Sequence, residues 1–143
     1  MFAVQPSAMI VWPMLAQFAL TLGLYVWLTV ARKRAVERGE TDYTAFVLGY
    51  DEPLHVARIT RNLANQFELP VLFYVLIALA LPLRHADLFI VLMSWVFVVT
   101  RFVHAGIFVT SNDVRTRSLA WFAGVLVLLA MWLYFALKML LLS

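Results

Sequence analysis

The sequence contains no cysteine, and only 13% of its 143 residues are charged. The first absence excludes disulfides, thiolate zinc sites and a cysteine nucleophile, so any sulfur chemistry has to come from a bound molecule. The shortage of charge, with a net balance of only +3, disfavours nucleic acid as a partner. There is no internal repeat and no low-complexity tract. What the chain has in excess is apolar surface, with 64% hydrophobic residues and a mean hydropathy of +0.90. An ordinary soluble domain is about 45–50% apolar and about 25% charged. A membrane-crossing helix takes roughly 20 apolar residues, so four of them use about 80 and leave about 60 for ends and loops. The expected fold is all-α and integral to the membrane: a bundle of four transmembrane helices in which residues 1–143 form a single domain.

Four spans are expected, at approximately residues 8–31, 54–83, 86–110 and 117–142. The first has no basic residue before it and ends at Arg32-Lys33-Arg34. That is the reverse of a secretory signal and reads as a retained span with a positive stop. The uninterrupted apolar run of the second span, Leu69 to Leu83, is short. It suffices only if the mixed stretch from Pro53 to Glu68 joins it in one long helix, capped by Asp51, with Glu52 in its first turn. Pro70 is expected to kink that helix. Lys138, near the end of the fourth span, is expected to snorkel to the interface.

With four spans, the first and third loops share a side. That side carries Arg32, Lys33, Arg34, Arg38, Arg115 and Arg117, whereas the other has only Arg84 and Lys138. The basic side is expected in the cytoplasm, with both termini away from it.

Polar residues inside the apolar helices carry the functional signal. Arg58, Arg61, Asn65 and Glu68 fall within a sector of about 80° on the second helix at 100° per residue. On the third, Arg101 and His104 share a face with Phe108. A charge at the bilayer centre costs about 2.5–3.5 kcal/mol on insertion scales, so these groups should face the interior and pair. Glu68 is the only carboxylate within an apolar stretch and the natural partner for an arginine. The plainer reading is that such pairs merely staple helices together. His55 and His85 read as loop or helix-end histidines. His104 reads as a hydrogen-bonded core residue, since no second ligand at metal-site spacing accompanies it, and no metal site is expected.

The stretch Arg58-Ile-Thr-Arg61-Asn62-Leu-Ala-Asn65-Gln-Phe-Glu68-Leu-Pro70 resembles the second-helix signature of the MAPEG family, the membrane-associated proteins in eicosanoid and glutathione metabolism. Arg101-Phe-Val-His104 resembles the family's third-helix Arg-x-x-His, and Arg117 matches the arginine that opens its fourth helix. The likeness runs over about residues 8–142. Two positions depart from it: Phe108 and Trp121 stand where family members carry an aromatic hydroxyl.

The resemblance implies a homotrimer with glutathione in a cytoplasm-facing cleft between subunits and a lipophilic second substrate entering from the bilayer lipids. Arg58 and Arg61 would offer forked donors to the glutathione carboxylates. Asn65 would bind the peptide, and Glu68 would take the ammonium or hold an arginine. Arg101 and His104 would complete the pocket, and Arg32 or Arg34 would reach in from the neighbouring subunit. Arg117 would stabilise the thiolate, with Ser118 as a donor. Phe108 and Trp121 would meet the hydrophobic substrate. The implied activity is conjugation of glutathione to hydrophobic electrophiles or reduction of lipid hydroperoxides. Two alternatives stand beside it: a non-catalytic lipid-binding or scaffold member of the same family, and a small four-span exporter. The exporter is disfavoured because the first span has no carboxylate between Ala8 and Ala31.

Overall fold

The computed structural model describes residues 6–48 and 52–142. A short helix α1 (Pro6–Met9) leads into α2 (Val11–Glu37), and α3 (Thr44–Leu48) interrupts the loop that follows. Next come α4 (Leu54–Asn65) and α5 (Leu69–Ala80), then α6 (Leu88–Val109) and α7 (Val114–Leu142). Among the described residues, four units are long and apolar enough to cross a membrane: Val11–Glu37, Leu54–Ala80 (α4 with α5), Leu88–Val109 and Val114–Leu141. The protein is an all-helical, multi-pass integral membrane protein. Outward-facing residues such as Trp12, Phe18, Leu126, Leu133 and Leu140 stay exposed, as a lipid surroundings requires.

The helices overrun the apolar stretches that announce them. α2 continues past Ala31 through the Arg32-Lys33-Arg34 cluster to Glu37. Gly39 stops it at φ 73°, a left-handed conformation that favours glycine. The Gly39 and Glu40 amides then bond the Val36 and Ala35 carbonyls, each at 3.0 Å. α7 begins at Val114, three residues before Arg117, which places that arginine in its first turn.

The second span is not the single kinked helix that the sequence suggests. It breaks at Gln66-Phe67-Glu68, and Pro70 opens α5 instead of bending a continuous helix. Proline is at ease in a first turn, where its missing N–H would have no partner anyway. Short-range bonds carry the chain through the break: Gln66 N–H to Leu63 O (3.0 Å), Phe67 N–H to Ala64 O (3.1 Å) and Glu68 N–H to Asn65 O (3.3 Å). At the start of α4, the Val56 and Ala57 amides bond Pro53 O. Asp51, the expected cap, lies outside the described residues. Glu52 is not in the first turn; it turns back to pair with Arg32 Nε at 3.1 Å.

Buried amides hold the break in place. Gln17 Nε2 donates to Gln66 Oε1 at 2.9 Å, Gln66 Nε2 to Asn62 O at 3.1 Å, and Asn62 Nδ2 to Ala105 O at 3.0 Å. This ladder ties α2 to the break and the break to α6. Each amide is fully or almost fully buried, so these bonds replace those that water would supply, save at Gln17 Oε1, which has no partner in the chain. Two apolar clusters flank the ladder. Phe73 stacks on Phe97 at 4.9 Å among Leu76, Ile77, Ile90 and Met131. Leu24, Leu28, Val56, Ile59 and Leu63 join α2 to α4.

The turn before α6 has Arg84 at φ 60° and ends at Asp87, whose carboxylate caps Ile90 N–H at 3.1 Å. Lys138 Nζ reaches the same carboxylate at 2.6 Å, and the Tyr134 hydroxyl donates to it as well. The expected snorkelling Lys138 is therefore half of an ion pair that fastens the end of α7 to the start of α6.

Candidate functional site

At the opposite end of the bundle, α4, α6 and α7 diverge around an open cleft of about 480 Å³. Three of the stripe residues enter it from α4: Arg58, Arg61 and Asn65. The spacing of three and four residues aligns them one above another on a single helix face. His104 and Phe108 line it from α6, and Arg117, Ser118, Trp121 and Phe122 from α7. Eight of the residues picked out in the sequence thus converge from three helices.

The electrostatics are one-sided. Three guanidinium groups line the cleft, and none of its lining residues is acidic. Arg58 leans on the end of α6, where its Nη1 donates to Thr110 O at 3.5 Å, and its Nε is buried with no partner. Arg61 is exposed and unpaired among the described residues. His104 sits edge-on to Phe108 at 5.9 Å, and its Nδ1 is also buried without a partner. Buried polar atoms are almost always satisfied in a native protein, so both nitrogens are open to a partner beyond the chain, as are Gln17 Oε1 and Arg101 Nε outside the cleft.

Arg117 is the most firmly held group in the cleft. Its Nη1 donates to Asn112 Oδ1 at 2.6 Å, and its guanidinium lies 4.5 Å above the Phe108 ring. Asn112 occupies a left-handed turn position (φ 50°), which asparagine tolerates better than most residues. The first turn of α7 adds a positive helix end beside Arg117 and Ser118. Just outside it, hydrogen bonds from Thr116, first among them that of its hydroxyl at 2.5 Å, keep the exposed Asp113 carboxyl below its ordinary pKa.

Four of the singled-out residues lie outside the cleft of their own chain. Arg101 is almost fully buried; its Nη2 donates to Asn65 O at 3.3 Å, and its Nε has no partner. Neither it nor any other arginine forms an ion pair within 4.0 Å with Glu68 among the described residues, contrary to the arginine partner expected for that carboxylate. Arg101 thus holds the last carbonyl of α4 and steadies Asn65 from below. Glu68 instead stands at the N-cap position of α5 and is exposed. Arg32 is engaged with Glu52 and Thr60 and lies 4.9 Å over Phe46. Arg34 lines a separate cavity.

Sequence reasoning missed Asn112 and the amide ladder. Asn112 was legible as turn chemistry, but nothing marked its side chain as the partner of Arg117. Asn62 and Gln66 stand beside the arginine stripe and differ from it only in helical phase. Among the described residues, no cluster of three or more potential metal ligands occurs.

The MAPEG family model matches residues 10–137, nearly the whole chain. No curated protein and no solved structure matches it.

Proposed function

Given that the chain belongs to the MAPEG family of membrane proteins in eicosanoid and glutathione metabolism, we propose that it is a glutathione-dependent membrane enzyme. The observation that carries this reading is a cleft with three guanidiniums, no carboxylate, two unsatisfied buried nitrogens and an aromatic wall. Glutathione has two carboxylates, one ammonium, amide groups and a thiol. Arg58 and Arg61 suit the carboxylates, Asn65 and His104 the peptide amides, and Arg117 the sulfur. A cation and a helix N-terminus beside a thiol favour its ionised form, which is the nucleophile. Ser118, next to Arg117 in the same lining, supplies a hydroxyl donor.

In conjugation, the thiol proton leaves to water, sulfur bonds the electrophilic carbon, and the leaving group departs with its electron pair. In peroxide reduction, the thiolate attacks the distal oxygen, the O–O bond breaks, and the alkoxide takes a proton. A second glutathione then reduces the sulfenic product to the disulfide and water. Phe108, Trp121 and Phe122 form the side that meets a lipophilic partner, which the bilayer delivers. The reading carries with it a homotrimer; termini away from the cytoplasm, with the basic end holding glutathione inside the cell, agree with the distribution of arginine.

The experiment is ultraviolet difference absorbance on adding glutathione to detergent-purified protein. A thiolate band that vanishes in Arg117→Ala is the expected result. Absence of the band together with absence of glutathione binding by calorimetry overturns the reading. One observation favours a second reading, a lipid-binding member without chemistry: Phe108 and Trp121 place no hydroxyl in the cleft. It predicts retention of a lipophilic ligand with no thiolate band.

A further inference from the structure

A second cavity, of about 230 Å³, lies next to the cleft between the C-terminal third of α2 and the first turns of α4. Its polar half consists of Arg34, Arg38, Arg58 and His55, and its apolar half includes Trp27 and Val30. Neither Arg34, Arg38 nor Arg58 has a carboxylate within 4.0 Å among the described residues. Glu37 faces Lys33 at 4.0 Å, and Glu40 meets the cavity only at His55, at 3.5 Å. Three guanidiniums around one small cavity, with a single carboxylate at its His55 edge, make a net positive site that an anion would stabilise. The guanidinium fork matches phosphate oxygens in pairs, and arginine is favoured wherever that geometry is recognised.

The apolar half indicates the source of the anion. Trp27 and Val30 are 48% and 40% exposed on the outward face of α2, within a helix that crosses the membrane. Tryptophan is the residue of the headgroup level, and the cavity opens beside it. We propose that this cavity binds the phosphate headgroup of an anionic membrane lipid, whose acyl chains descend along α2 past Trp27 and Val30. Arg58 lines both this cavity and the cleft, and its Nε is buried without a partner. The two sites therefore share one guanidinium. A headgroup that draws Arg58 toward α2 withdraws a donor from the cleft, which ties cleft affinity to the composition of the surrounding leaflet. This coupling, unlike the lipid site itself, rests on the function proposed for the cleft.

The test uses the full chain in neutral detergent, titrated with phosphatidylglycerol or with phosphatidylcholine of the same acyl chains, and bound lipid is counted by native mass spectrometry. Phosphatidylglycerol is expected to be retained in preference. Arg38→Gln lowers that preference about fivefold, the effect of one arginine near an anionic surface, and Arg38→Gln/His55→Gln lowers it further. Arg115→Gln removes the same charge from the same end of the bundle, outside the cavity, and leaves the preference intact. Equal retention of both lipids, or an equal loss in Arg115→Gln, overturns the proposal. Displacement of phosphatidylglycerol by an equal concentration of inorganic phosphate also overturns it, in favour of a free-phosphate site. The readout is lipid retention, so it stands when the thiolate band is absent and can fail when the band is present.

Discussion

Arg117 donates from Nη1 to the side-chain oxygen of Asn112 at 2.6 Å, and this one bond fixes where the positive charge of the cleft points. Phe108 supports the guanidinium from beneath, so Arg117 is held on two sides and leaves its remaining donors to a ligand.

Removing that charge tests the proposed thiolate directly. Arg117→Ala is expected to lower conjugation about a hundredfold, the scale for losing one preorganised donor to a developing anion. Arg117→Lys keeps the charge without the fork and is expected to recover part of the rate and of the thiolate absorbance. Stopped-flow absorbance reads both quantities.

Asn112 is a positioning residue, and its effect is separable from the backbone it occupies. Asn112→Gly keeps the left-handed turn and deletes only the acceptor. The expected outcome is about a tenfold loss in turnover, in keeping with a hydrogen bond to a charged group, with unfolding temperature nearly unchanged. A large drop in unfolding temperature would instead assign Asn112 to the fold.

The other end of the bundle governs stability. Asp87 is pushed toward higher pKa by partial burial, but hydrogen bonds from Lys138, Tyr134 and the Ile90 amide outweigh this and hold its carboxyl below the usual range. A carboxyl lowered in the folded state stabilises the fold above its unfolded pKa, and the contribution fades as pH falls through the folded value. Asp87→Asn keeps the cap but loses the ion pair with Lys138, and is therefore expected to cost about 0.5 kcal/mol at neutral pH and nothing in strong acid, where the wild type has already lost the same contribution. Thermal unfolding in detergent across acid pH checks the convergence.

The amide ladder gives a double-mutant cycle. Gln66→Leu strands Gln17 Nε2 and Asn62 Oδ1 and is expected to destabilise by about 1 kcal/mol, the scale of interhelical hydrogen bonds in membranes. Gln17→Leu added to it removes a stranded group and is expected to cost less than the sum of the single changes. Strict additivity in denaturant titrations would count against coupling of the pair.

Sequence pattern made the four spans and the polar faces legible because hydrocarbon tolerates so few polar residues that each one is conspicuous. Arg58, Arg61, Asn65 and His104 stood out for that reason, Arg117 only through the family resemblance, and the structure brings all five to one cleft. The break at Gln66–Glu68 was not legible. Proline within an apolar run suits a kink and a new helix start equally well, and the choice is made by tertiary bonds from Gln17 and Arg101, 49 and 36 residues away from their partners. The partner of Arg101 was hidden for a related reason: helical phase aligns side chains such as Glu68, while the acceptor turned out to be a backbone carbonyl, which every residue carries. The long loop concealed the shared role of Arg58, because the distance between Arg38 and His55 along the chain says nothing of the cavity that joins them.

The break has a consequence for biogenesis. At 1.5 Å per residue, the 12 residues of α5 reach about 18 Å, well short of a hydrocarbon layer of roughly 30 Å. The polar α4 must make up the difference, yet it is sheltered only where α2 and α6 already stand beside it. A translocon that releases spans one at a time would therefore strand α4 at the interface. A late, post-insertional seating of α4 is the expected last step of insertion, and a pulse-chase protease-accessibility experiment should find that segment the last to become protected.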